Sequence, residues 1–243
     1  MIDAVFVVLV TASFLASVAN AAFSAGGALI VLAITSTVLP IQAIVPIHST
    51  LLIGSTATRV LFFWEHIDWK IAGPFLVGSL FGAFIGARVY VELPEAFVAT
   101  AISLLMLVAL WLPRVTWRPR VRHPWAIVGF IHTLVSTMFA YGALLHSVIL
   151  HTNLKRRQVV GTMAGGLTGM GVFKIAGYVM VGFNYTPYLV TIAAAIAVSF
   201  LGTAVGKQLG DRLSEDKFRL IYRVLITITA LRLLYVGLIQ GIL

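Results

Sequence analysis

The chain has 243 residues, of which 60% are hydrophobic and only 10% charged, with a mean hydropathy of +1.03. A soluble domain carries about 25% charged residues, so a soluble globular protein is excluded and the chain reads as a polytopic membrane protein whose first partner is the lipid bilayer. Seventeen Lys and Arg against eight Asp and Glu give a formal charge of +9, but these basic residues sit in short loops between apolar runs rather than on one polar face, which points to membrane topology and away from nucleic acid.

The apolar runs are long, rich in Leu and Ala and interrupted by Gly, without the alternation of an outer-membrane barrel, so the backbone must satisfy itself as helices. A spanning helix needs about 20 apolar residues, which leaves room for roughly seven to ten crossings and no sizeable soluble domain. No cysteine occurs, which removes disulfides, thiolate metal sites and cysteine nucleophiles. The N-terminal run lacks the positive n-region of a signal peptide and is expected to be the first mature helix.

In chain order, residues 2–22 form an apolar segment that breaks between Asn20 and Gly27, and a shorter piece from Ala28 stops at Pro40, so 2–39 reads as a helical hairpin. A helix at 43–62 has a polar side carrying His48, Ser49, Thr50 and Arg59 and exits through Asp68, Trp69 and Lys70. Helices at 71–90, with Gly78, Gly82 and Gly86 four residues apart, and at 96–112 complete the first half, 1–123. The second half, 124–243, repeats the plan: a hairpin at 125–150 turning near Ala140 to Gly142, then helices at 158–182, 188–206 and 218–240. At an offset of 115 residues Gly27 meets Gly142, Leu29 meets Leu144, Gly54 meets Gly169 and cationic Arg59 meets cationic Lys174; at 120, Gly82 and Gly86 meet Gly202 and Gly206, and Leu93 and Glu95 meet Leu213 and Glu215.

Most Lys and Arg cluster around Lys70, Arg114 to Arg122, Lys155 to Arg157 and Lys207 to Arg219, and these loops are expected on the cytoplasmic side. The basic loops flanking the second hairpin require it to return to the side it started from. A hairpin plus three crossings is an odd count, so the halves are expected to be inverted repeats with both termini outside the cytoplasm. The expected fold is therefore all-α, two inverted repeats of one hairpin and three transmembrane helices each, with eight to ten helical segments.

Arg59 and Lys174 are the sharpest chemical signal, because a cation in a spanning segment either snorkels or serves a site. Arg59 lies near the end of its helix and can snorkel, whereas Lys174 is about two turns from an end. No Asp or Glu lies deep in any span, which argues against cation substrates and carboxylate proton relays and for an anionic or neutral substrate. The breaks at Gly26 and Gly27 and at Gly142 could form anion seats from exposed N–H groups at half-helix ends, or be simple extramembrane turns. His48, Ser49 and Thr162 stand near the start of the helix after each hairpin, where hydroxyls either complete a seat or bond back to their own backbone. His132, His146 and His151 lack metal-ligand spacing, so neither metal nor cofactor is expected. No nucleophile and base pair, and hence no catalytic residue, is found. Arg223 and Arg232 read as packing or lipid-facing charges.

The Gly-Gly break after the first helix, the Gly161-Thr162 opening after the second hairpin, the Asp68-Trp69-Lys70 exit and the paired small-residue helices resemble the sulfite exporter TauE/SafE family over nearly the whole chain. The sequence departs from that pattern at Pro46-Ile47-His48-Ser49, where relatives tend to show a Thr-Ser pair. The resemblance implies a bacterial or archaeal inner-membrane permease exporting sulfite or a small organosulfonate. The function expected is thus a secondary anion transporter working by alternating access, the alternatives being an anion channel and, with less to support it, a membrane-embedded enzyme or scaffold subunit. Assembly as a homo-oligomer is left open.

Overall fold

A computed structural model of the protein describes residues 3–23, 26–112, 124–142, 144–149, 151–209 and 215–240. Among them are ten α-helices: α1 (Ala4–Phe23), α2 (Gly27–Val38), α3 (Ile41–Phe63), α4 (Trp69–Glu92), α5 (Glu95–Trp111), α6 (Trp125–Phe139), α7 (Leu144–Ile149), α8 (Arg156–Met180), α9 (Leu189–Leu209) and α10 (Glu215–Gln240). Short 3-10 turns at Trp64–His66 and Thr186–Tyr188 lead into α4 and α9. Arg114, Arg118, Arg120, Arg122, Arg212 and Leu213, used above for orientation and for the repeat, lie outside the described residues.

Six helices are long and apolar enough to cross a membrane, with spans at 4–22, 41–66, 69–92, 156–180, 186–208 and 220–239. The protein is a multi-pass, all-helical membrane protein. The other described helices are shorter: α5 has 17 residues and α6 15, and the second arm of each hairpin is shorter still, with 12 residues in α2 and only 6 in α7. At 1.5 Å per residue these arms reach about 18 and 9 Å, well short of a hydrocarbon core of about 30 Å. The backbone explains where the arms stop. Gly26 takes a φ of 97°, open to a residue without a side chain, and Ala140 takes a φ of 57°, a left-handed geometry that ends α6 by its N–H bonding Ser136 O at 3.0 Å.

The chain forms two compact units. One comprises residues 1–55, 93–112 and 184–243, the other 56–92 and 113–183. Each draws on both sequence halves. In the first unit α1 packs along α9, and α5 and α2 pack on α10; in the second α4 packs along α6 and α8. Lipid tails are as apolar as leucine, so close van der Waals approach rather than burial from water holds such helices together. The glycine rows serve that approach. A methyl group on Gly82 or Gly86 of α4 would strike Phe130 O or Leu134 O and Thr137 of α6, and one on Gly202 or Gly206 of α9 would strike Phe14 O or Val18 O and Ala21 of α1.

These contacts recur in register. Phe14, Val18 and Ala21 of α1 stand 116 residues before Phe130, Leu134 and Thr137 of α6. Gly54 of α3 abuts Ile196 of α9, while its counterpart Gly169 of α8 abuts Leu76 of α4, 120 residues before Ile196. Gly27 abuts Ala16, and Gly142 abuts His132, again 116 residues on. The helices within each unit thus touch through the same positions of the two sequence halves.

Candidate functional site

A buried polar cluster of the second unit surrounds the break between α6 and α7. A helix C-terminus exposes carbonyls with no intrahelical donor and carries about half a negative charge. On α6 two carbonyls of the last turn are met from α8: Ser136 O, which also takes the Ala140 N–H, and Thr137 O. Lys174 Nζ donates to Ser136 O at 2.8 Å and to Ser136 Oγ at 3.0 Å, and Tyr178, one turn further along α8, donates its hydroxyl to Thr137 O. Lys174 is 2% exposed. Among the described residues no carboxylate pairs with it. The dipole end of α6 offsets only part of its charge, and an ammonium so buried leaves a positive potential that an anion would relieve.

The α7 side of the same break is held by His132, which is also on α6 and one turn before Ser136. Leu145 N–H donates to His132 Nδ1 at 3.1 Å. A ring nitrogen that accepts a hydrogen bond bears no proton, so the hydrogen of this imidazole sits on Nε2. That side of the ring lies against Gly142, where any side chain would overlap it. Phe75 of α4 meets the ring edge to face at 5.8 Å between centroids and joins Val128, Leu145, Val148, Ile149, Met163 and Met170 in the apolar core around the break. His132, Ser136, Gly142 and Lys174 are therefore fixed by packing before any ligand arrives.

The first unit has its own break, at Gly26. Gly27 N–H donates to Asn20 Oδ1 of α1 at 3.0 Å, so a side chain again serves the start of the second arm. His48, buried on α3, donates Nε2–H to Ala28 O at 3.0 Å and ties α3 to the first turn of α2. Ser49 and Thr50 spend their hydroxyl hydrogens on Val45 O at 2.7 Å and Pro46 O at 2.9 Å, so Ser49 takes the back-bonding alternative and Thr50 does the same. Thr162 on α8 accepts Asp68 N–H at 2.9 Å and so serves the turn into α4. Arg59 lies four residues before the end of α3, partly exposed.

Of the residues singled out from the sequence, Gly26, Gly27, His48 and Ser49 fall in the first unit and Arg59, Gly142, Thr162 and Lys174 in the second. The structure gathers Gly27 and His48 at the start of α2, and Lys174 and Gly142 at the ends of α6 and α7. It adds His132, Ser136 and Tyr178, which sequence reasoning did not bring to the breaks, and gives Asn20, already expected at the edge of the first break, its partner in the Gly27 N–H. The available signal was a polar residue in the last two turns of a helix that precedes a glycine break, which picks out Asn20 before Gly26 and both His132 and Ser136 before Gly142. Of the two cations set aside in α10, Arg223 lies 5.6 Å over the Trp111 ring of α5, a packing role, and Arg232 is exposed.

No curated protein and no solved structure matches the chain significantly. A family profile does match, that described as Sulfite exporter TauE/SafE, over residues 9–233. That match takes in most of α1 and of α10, every described helix between them and both helix breaks. The chain therefore belongs to the sulfite exporter TauE/SafE family of membrane transporters.

Proposed function

We propose that this protein is a secondary exporter of a small anion, sulfite or an organosulfonate, that works by alternating access across a bacterial or archaeal inner membrane. The observation that carries this reading is Lys174, a buried ammonium without a carboxylate partner among the described residues, at the junction of the 15-residue α6 and the 6-residue α7. In this reading the anion is held by the Lys174 ammonium and the polar groups at the α6 and α7 ends, with Gly142 leaving the backbone accessible. Gly26, Gly27 and His48 form the counterpart in the first copy. Arg59, Ser49 and Thr162 line the path, with Ser49 contributing its oxygen rather than its proton. The carboxylates of the described helices stand at their ends, Glu92 closing α4 and Glu95 opening α5, which leaves no acidic site at depth for a cation.

The two copies, 1–123 and 124–243, are inverted repeats in this account, with both termini outside the cytoplasm. The recurrence of glycine contacts at constant offsets supports the duplication, since unrelated helix pairs have no reason to touch through corresponding positions. Flux of sulfite, sulfoacetate and taurine into proteoliposomes tests the function. Saturable flux of at least one of them is expected; absence of saturable flux of any small anion would overturn the reading, and fast flux that never saturates would replace it by a channel.

A further inference from the structure

Where α3 gives way to α4, the second unit holds a cleft of about 550 Å³ lined by Glu65, His66, Lys155, Arg156, Arg157 and Gln158. Its walls are set by close packing. Gly161 of α8 lies against Phe63 O and His66, Gly165 lies against Ile67, and Thr162 holds Asp68 N–H, so the 3-10 turn Trp64–His66 is pressed onto the first turns of α8. Three observations give the cleft its chemistry. Lys155, Arg156 and Arg157 crowd the N-terminus of α8, which has no acidic residue in its first turn. Cations are disfavoured there, because the helix dipole already places about half a positive charge at that end. Among the described residues none of the three is ion-paired, and neither is Glu65. His66 Nδ1, closed off from solvent, has no hydrogen-bond partner among the described residues. Positive-inside topology accounts for the number of basic residues in this loop, but not for their convergence on a preformed cleft.

The same turn carries membrane-interface features. Trp64 is 58% and Trp69 50% exposed, their rings meeting edge to face at 5.5 Å, and Leu61 and Phe62 just before them are also exposed. Indoles in such numbers mark headgroup depth. We propose that the cleft binds a tetrahedral oxyanion carrying at least one negative charge, as found in the phosphodiester of an anionic lipid or in a free phosphate-like ion. Arg156 and Arg157 present forked donors to its oxygens, Lys155 adds a point charge, and the first-turn N–H groups of α8 complete the cradle. This site is separate from the helix breaks and does not depend on which anion the protein transports.

The test uses the full chain, purified and delipidated. Native mass spectrometry would compare retention of phosphatidylglycerol with that of phosphatidylcholine, and thermal unfolding would be followed during titration with inorganic phosphate. At about 1 kcal/mol for each basic residue near a headgroup, the R156Q/R157Q protein should bind about thirtyfold more weakly, taking 1.4 kcal/mol per tenfold. E65Q, which removes the carboxylate of the cleft, should bind more tightly and guards against a double variant that fails to fold. Selective retention of phosphatidylglycerol assigns the site to a lipid; stabilisation by phosphate without lipid selectivity assigns it to a free oxyanion. Binding of neither probe, or binding unchanged in both variants, overturns the proposal.

Discussion

At Lys174 the chemistry of one side chain makes two demands that substitution can separate. The ammonium donates to Ser136 O and Oγ near the end of α6, and it carries a charge that no described carboxylate cancels. Lys174→Gln keeps a donor for Ser136 and removes the charge. A hydrogen bond to a charged group contributes about 1.5–3 kcal/mol and a neutral one about 1, while relief from desolvation works the other way. Thermal unfolding in detergent should therefore change by no more than about 1–2 kcal/mol, whereas half-saturation for the anion should rise at least tenfold, as expected of a charge in a poorly screened site. His132 makes the complementary case. His132→Ala leaves Leu145 N–H buried without an acceptor, at a cost of about 1–3 kcal/mol, readable as a lower unfolding midpoint, and His132→Asn, which still offers an acceptor, should recover part of it. Neither role was legible in the sequence. Lys174 stood out as a cation at depth, but that it meets Ser136, and that His132 meets Leu145, depends on which face of α6 turns towards α8 and α7, and neighbours along the chain do not encode that.

At the scale of the element, the breaks and the glycine rows do most to shape the fold. Gly142→Ala would drive a methyl group into the His132 ring, and overpacking of this kind costs about 1–3 kcal/mol. Since the 6-residue α7 is set by Leu145, Val148 and Ile149 in the core beside His132, a displaced ring shifts the whole arm, and loss of transport should exceed what the fall in stability explains. The recurring contacts permit a paired prediction. Gly82→Ala and Gly202→Ala meet equivalent carbonyls, Phe130 O and Phe14 O, and should destabilise by similar amounts, again about 1–3 kcal/mol, measured as thermal unfolding side by side. A cost at one site and none at the other would show that the two helix pairs are not equivalent. Much of this level was readable in advance. Helix bounds fell within a few residues of those expected, because apolar runs in this chain end at Pro, Gly or charged residues. The brevity of α7 follows from the turn expected near Ala140 to Gly142 in a hairpin ending at 150, a turn that the left-handed Ala140 supplies.

For the whole molecule, the sequence displayed two similar halves but not that each compact unit would interleave helices from both. Similarity at an offset says which positions correspond; which helix each one packs against follows from the glycine faces only once they are seen in contact. The absence of cysteine makes the topology directly measurable. Single cysteines at Asn184 and near the C-terminus should label from outside intact cells, and one at Thr152 only from the cytoplasm; labelling of Thr152 from outside would break the inverted arrangement. Inversion also predicts that Arg59→Gln weakens transport most when substrate approaches from the cytoplasm, and Lys174→Gln when it approaches from the other side. The most direct measurement of the central claim is the concentration dependence of sulfite flux in oriented proteoliposomes for the unaltered protein and for Lys174→Gln. Anion transport seated at the α6 and α7 break predicts saturable flux whose half-saturation rises at least tenfold on loss of the charge, more for substrate arriving from the extracytoplasmic face. Saturable flux with an unchanged half-saturation from both faces would contradict it.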